Sequence, residues 1–132
     1  MPKYGICAQT AAEKARGGTD PIEAWRQAAQ AVFPNSISSQ IKGCPRDAFL
    51  GLCEDGFVKG IARGSYTKSQ LNKSYALRAV GLLRANPELA SDKTNLWQRI
   101  QQYRGQAHNG QMDVVVTLWR NGLLEEPRTG LV

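Results

Sequence analysis

The chain has little of what metal sites, disulfide scaffolds and membrane spans require. It carries one histidine, His108, and three cysteines, Cys7, Cys44 and Cys53. No two cysteines stand at CxxC spacing, so the close, paired ligands of a zinc site are lacking. An odd cysteine count without repeated spacing argues against a disulfide framework, and the three read as reduced, mostly buried thiols. No apolar run approaches the ~18 residues needed to cross a bilayer. The opening Met1-Pro2-Lys3-Tyr4-Gly5-Ile6 lacks the apolar stretch of a signal peptide, which predicts a cytoplasmic location. There is no Gly-x-Ser-x-Gly elbow, no Walker loop and no Gly-x-Gly-x-x-Gly after a strand, so neither a cofactor nor a hydrolase nucleophile is indicated.

What the chain does have is helical periodicity. With 42% hydrophobic and 21% charged residues it has the composition of a globular protein rather than a disordered one. Tyr4, Cys7, Ala8, Ala11, Ala12 and Ala15 fall on one face of a helix that Gly17-Gly18 ends. Asp20-Pro21 starts a second helix, with Ile22, Trp25, Ala29, Val32 and Phe33 inward and Pro34 as its stop. Ser36 opens a short helical segment ending at Gly43, and Cys44-Pro45 restarts the chain as a helix through Glu54. Asp55-Gly56 is then a C-cap, with Phe57-Val58 packing back.

Residues 57–66 hold a basic loop or short hairpin. Thr67 or Ser69 caps a long helix in which Leu71, Tyr75, Ala79, Leu82 and Leu83 make one stripe. Ser91 caps the next helix, with Leu96, Trp97, Ile100 and Tyr103 buried. Asn109 caps the last, where Met112, Val115, Val116 and Trp119 point inward despite the strand propensity of three consecutive valines. The prediction is an all-α, compact bundle of about six to seven helices. Residues 1–124 form one domain and 125–132 a loose C-terminal tail.

The segment Asp47–Val58 aligns without gaps on Asp113–Leu124, each a helix ending in an Asx-Gly cap followed by two apolar residues. Two stacked three-helix units would explain this. Shared capping physics would also explain it, because any two capped amphipathic helices resemble each other.

Charge is distributed unevenly. Between Gly56 and Pro87 stand six basic residues, Lys59, Arg63, Lys68, Lys73, Arg78 and Arg84, and no acid. The rest of the chain balances eleven bases with eleven acids, so the whole net charge of +6 belongs to that stretch. Tyr66 stands in its middle beside Ser65, Thr67 and Ser69. Cations with hydroxyls and one aromatic in a loop suit phosphate contacts. The expected function is therefore a non-enzymatic module that binds nucleic acid or another polyanion through residues 59–84. Its candidate contacts are Lys59, Arg63, Tyr66, Lys68, Lys73 and Arg84. The alternatives are a protein-interaction module, and a small enzyme with a site near Cys44, Tyr66 and His108. Asp47 and Asp113 read as first-turn acids that favour the helix dipole.

The stretches Lys42-Gly43-Cys44-Pro45-Arg46-Asp47-Ala48-Phe49-Leu50-Gly51-Leu52-Cys53, Gly64-Ser65-Tyr66-Thr67 with Asn72-Lys73, and Asn109-Gly110-Gln111-Met112-Asp113-Val114 resemble signatures of a family of small uncharacterised bacterial proteins. The resemblance spans about Pro21 to Leu124. It implies a bacterial setting and transfers no catalytic residue, and it marks Cys44, Arg46, Tyr66 and Asn109-Gly110-Gln111 as candidates for more than packing.

Overall fold

The computed structural model describes residues 2–101 and 105–127. It is all-α: α1 Lys3–Arg16, α2 Pro21–Val32, α3 Ile37–Gln40, α4 Gly43–Glu54, α5 Gln70–Ala85, α6 Lys93–Ile100 and α7 Gln111–Arg120, with a 3₁₀ turn at Pro87–Ser91 between α5 and α6. Most boundaries follow capping chemistry. The Asp20 carboxylate accepts the Ile22 and Glu23 amides at 3.0 and 3.3 Å, and Ser36 accepts the Ser39 amide at 3.2 Å. Of the two hydroxyls offered for α5, Ser69 is the cap, accepting from Asn72 at 3.2 Å. Residues 59–65 form a loop, and the valines at 114–116 are helical.

Two starts differ from the sequence expectation. Ser91 lies in the 3₁₀ turn, and α6 is capped by Asp92, which accepts the Asn95 amide at 3.0 Å. Asn109 does not cap α7. Gly110 holds the cap position at φ +92°, a left-handed conformation that glycine alone adopts cheaply. Two inward assignments also shift. Ile22 and Leu71 are exposed, because the buried stripes run instead through Ala24, Trp25, Ala28 and Ala29 on α2 and Tyr75, Ala76, Ala79, Val80 and Leu83 on α5. Tyr103 and residues 128–132 lie outside the described residues. Within the expected tail, the Glu125 amide donates to Phe57 O at 2.8 Å.

The two sequence-similar segments occupy related places. Gly56 and Gly122 both take positive φ, and Phe57 and Leu123 donate back to Leu52 O and Leu118 O at 2.9 and 3.0 Å. Both helix ends are therefore Schellman caps. Beyond the caps, Val58 pairs antiparallel with Leu124, its own counterpart in the alignment. Lys59 N donates to Leu123 O and Glu125 N to Phe57 O, at 2.9 and 2.8 Å. Each bond is the other with the units exchanged.

Helix packing repeats the exchange: α1 packs on α7, and α5 on α4. A Cβ on Gly5 would meet Thr117 Oγ1 at 2.1 Å, and one on Gly51 would meet Lys73 Cβ at 2.6 Å. Thr117 is the counterpart of Gly51 in the alignment, so the two crossings sit at related positions. The units interlock, the first helix of each lying on the last helix of the other, rather than stacking as separate blocks.

Candidate functional site

Arg46, Asp47, Leu50 and Glu54 share one face of α4, being spaced by one, three and four residues. The loop after α4 folds back along this face. Thr67 Oγ1 donates to Asp47 Oδ1 at 3.0 Å, and the amides of Tyr66 and Thr67 donate to Glu54 Oε1 at 2.8 and 3.2 Å. The Tyr66 hydroxyl closes the loop on itself through Ala62 O at 2.7 Å. A Cβ on Gly64 would stand 2.7 Å from Tyr66 Cζ, so the phenol occupies room that only a glycine leaves. Burial, and then the nearby Cys53 and Asp20, push the Tyr66 pKa up, keeping the phenol a neutral donor.

Glu54 sits in the last turn of α4, where the helix dipole disfavours an anion. Its partners offset this. Lys73 Nζ reaches Glu54 Oε2 at 2.6 Å and Asp55 Oδ1 at 2.8 Å. The Lys73 ammonium first, and the two loop amides after it, outweigh burial and hold the Glu54 carboxyl below the usual range. Asp47 is not a first-turn acid, because α4 begins at Gly43. It instead receives Thr67 and, at 3.3 Å, Arg46 Nη2.

Between α2, α4 and the folded-back loop lies a groove of about 310 Å³ lined by Ile22, Arg46, Asp47, Leu50, Tyr66 and Lys68. Sequence reasoning offers Tyr66 and Lys68 from the basic stretch, and Arg46 only through the family signature. Leu50 and Asp47 carry no sequence signal of a groove, since their roles depend on where the loop returns. Glu54 has one signal, an acid at the wrong end of a helix.

The basic stretch is free of acids in sequence but not in space. Lys73 is 15% exposed and bound to two carboxylates that precede the stretch. Arg78 donates to Ile100 O at 3.1 Å. Arg84 lies over the Phe57 ring and pairs with Glu126 at 2.9 Å. Arg63 lies against Gly56, where an added Cβ would stand 3.0 Å from its Nε. Lys59 and Lys68 are exposed. Tyr66 and Lys68 thus meet in one groove, whereas Lys73 and Arg84 are held elsewhere by carboxylates.

Cys44, Tyr66 and His108 are not brought to a common groove. Tyr66 lines the one described above, which neither Cys44 nor His108 touches. His108 packs on Trp97 with ring centroids 6.0 Å apart, and its Nδ1 accepts the Gly110 amide at 3.2 Å. Burial first, then Lys93 and Lys42 against the opposing pull of Asp113, lowers its pKa. Burial also pushes the Cys7 thiol up to about 11 and the Cys53 thiol higher still. In Asn109-Gly110-Gln111, Gln111 accepts the Asn109 amide at 2.6 Å and donates to Asn72 at 3.1 Å, which ties the loop before α7 to α5. Among the described residues no three His, Cys, Asp or Glu side chains could hold a metal ion, and no helix is long and apolar enough to cross a membrane.

No curated protein and no solved structure matches the chain. One family model does, over residues 1–125 and so nearly the full length, and the chain belongs to that family, a family of unknown function (DUF6979).

Proposed function

We propose that the protein is a non-enzymatic module of the bacterial cytoplasm that binds nucleic acid or another polyanion. The contact surface is smaller than the basic stretch: Arg46, Tyr66 and Lys68 around the groove, with Lys59 and Arg63 on the adjoining loop. One observation carries this reading. The groove presents two cations and a phenol, while the carboxylates beside it are occupied by internal donors, Asp47 by Thr67 and Arg46, and Glu54 by two amides and Lys73. An anion entering there meets cations whose acidic neighbours are already partly neutralised. Stacking on Tyr66 suits a base or sugar, and the flanking cations suit phosphates.

The test is binding of a labelled single-stranded oligonucleotide across a salt series. Affinity should fall steeply with salt, and Lys68→Ala and Lys59→Ala should each lower the slope by about one phosphate contact. Lys73→Ala and Arg84→Ala should leave the slope unchanged, because those cations lie away from the groove on Glu54, Asp55 and Glu126. Affinity that ignores salt, or that survives loss of Arg46, Lys59 and Lys68 together, overturns the reading.

A second reading, a protein-interaction module, is supported by Ile37 and Ile41. One turn apart, at the start of α3 and just past its end, they are 72% and 65% exposed. A partner captured from lysate that survives nuclease treatment and is lost with Ile37→Ser and Ile41→Ser would favour it.

A further inference from the structure

The interlocked units imply a second groove. The place on α7 that corresponds to the α4 groove face begins at Asp113 and runs to Arg120, the counterparts of Asp47 and Glu54. A groove of about 430 Å³ lies there, lined in part by Pro2, Ser91, Lys93, Asp113, Val116 and Arg120. The first groove has the residue before its capping Ser69, Lys68, on the rim. The second has Pro2, the residue just before α1. Its volume falls within the range of small-molecule sites.

Three features set its chemistry. Arg120 stands where Glu54 stands on α4. Its Nη2 donates to Ala90 O at 2.9 Å and lies 3.3 Å from Ser91 Oγ. These bonds hold the guanidinium against the groove wall and leave Nε and Nη1 without a protein partner among the described residues. A guanidinium held in this way keeps Nε–H and Nη1–H as separate donors for an anionic head. Second, Asp113 is neutralised by Lys93 Nζ at 2.6 Å, so it does not repel an incoming anion as an unpaired carboxylate would. Third, Pro2 holds the N-cap position of α1 with no side-chain cap, and the first turn has no acid, which adds the positive end of a 14-residue helix dipole at the rim. The floor is apolar, with Val116 and Ala90 both nearly buried.

The geometry points to a binding site for a small organic carboxylate, its anionic head on Arg120 and its apolar body over Val116 and Ala90. The site is separate from the proposed polyanion surface and needs none of its residues.

The experiment is a titration of the full chain with benzoate and with hexanoate, followed by amide nitrogen–proton NMR. Inorganic phosphate and benzyl alcohol serve as probes of the head and the body alone. The carboxylates should give saturable shifts in the millimolar range, concentrated at residues 90–93 and 113–121, while phosphate and the alcohol each bind at least tenfold more weakly. Arg120→Gln should weaken benzoate at least tenfold. Arg120→Lys, which keeps the charge but loses the bonds to Ala90 and Ser91 that fix the guanidinium, should recover only part of the loss. Shifts that fail to saturate, or that map to other residues, overturn the site, and so does benzoate affinity unchanged in both variants. Phosphate binding as tight as benzoate overturns the carboxylate assignment. Should either variant unfold, the location of the wild-type shifts alone decides.

Discussion

The two grooves occupy corresponding places on α4 and α7, and the last residue of each helix carries the opposite charge. On α4 that residue is Glu54, on α7 it is Arg120. A cation at a helix C-terminus is favoured by the dipole and needs little help, so Arg120 makes bonds only to Ala90 and Ser91 among the described residues. An anion there is disfavoured, and Glu54 is retained with two loop amides and Lys73 on its carboxylate. The acid is what fastens the loop after α4 across its groove. The chain after α7 makes no comparable return among the described residues, and the second groove is the larger of the two. Two similarly capped helices thus carry two different grooves through one change of charge and one loop.

The largest effect is expected where the units cross. In a helix, alanine is preferred over glycine by about 1 kcal/mol, so Gly51→Ala and Gly5→Ala would stabilise if space allowed. It does not. The new Cβ of Gly51→Ala would stand 2.7 Å from Lys73 Cα, against backbone that can yield only by parting α4 from α5. A loss of about 3 kcal/mol is expected, read by denaturant unfolding. Gly5→Ala collides chiefly with the Thr117 hydroxyl at 2.1 Å, which is side chain. Its cost should be smaller, about 2 kcal/mol, and Thr117→Ala in the same molecule should recover part of it. Additive losses in that double variant would mean the crossing is not limited by the hydroxyl.

Next comes the charge difference itself. Glu54→Ala removes three acceptor bonds at a mostly buried carboxylate and should cost about 2 kcal/mol, whereas Arg120→Ala, at a mostly exposed position, should cost less than about 1 kcal/mol. Hydrogen exchange at the Tyr66 and Thr67 amides should speed up only in the first variant. The pH dependence has a definite sign. The folded-state pKa of Glu54 is depressed, so its contribution is complete above the unfolded value of about 4.3 and is lost as pH falls below it toward the folded value. For Lys73, burial opposes the charge, but Asp55 and Glu54 prevail and raise its pKa. Its contribution is complete below an unfolded value of about 10.4 and is lost as pH rises through the folded one. In Glu54→Ala the acid limb should flatten while the alkaline limb, still supported by Asp55, persists. Equal acid limbs in the two proteins would show that Glu54 does not set the acid stability.

Local features are legible in the sequence because their causes are local. The all-α class, Asp20-Pro21, the Ser69 cap and the paired Asx-Gly ends each follow from a few neighbouring residues. The α7 start is misread from sequence because asparagine is a good cap by propensity, whereas Gly110 fits a space between Tyr4 and Pro45 that a side chain would fill. The basic stretch is correct as a count and incomplete as a surface. Lys73 and Arg84 meet acids from before and after the stretch, and no window along the chain shows which carboxylate will fold onto which cation. The likeness of the two halves is visible in the sequence chiefly in their caps. Their interlocking depends on tertiary crossings at Gly5 and Gly51, which a sequence shows as two ordinary glycines.

The smallest expected difference separates the two caps. Gly56 and Gly122 hold φ of +83° and +67°, so an alanine at either carries the left-handed penalty of about 1 kcal/mol. Their surroundings then divide them. Among the described residues nothing beyond its chain neighbours lies within 4 Å of a Cβ at Gly122, whereas one at Gly56 would stand 3.0 Å from Arg63 Nε and 3.1 Å from its Cγ. These are side-chain atoms that need give by only a few tenths of an ångström, so Gly56→Ala should unfold only slightly more easily than Gly122→Ala. The displaced guanidinium is the more sensitive readout. If Arg63 forms part of the polyanion surface, Gly56→Ala should alter oligonucleotide affinity while Gly122→Ala, alike in backbone strain, leaves it unchanged. Equal affinities in the two variants would confine the surface to Arg46, Tyr66, Lys68 and Lys59.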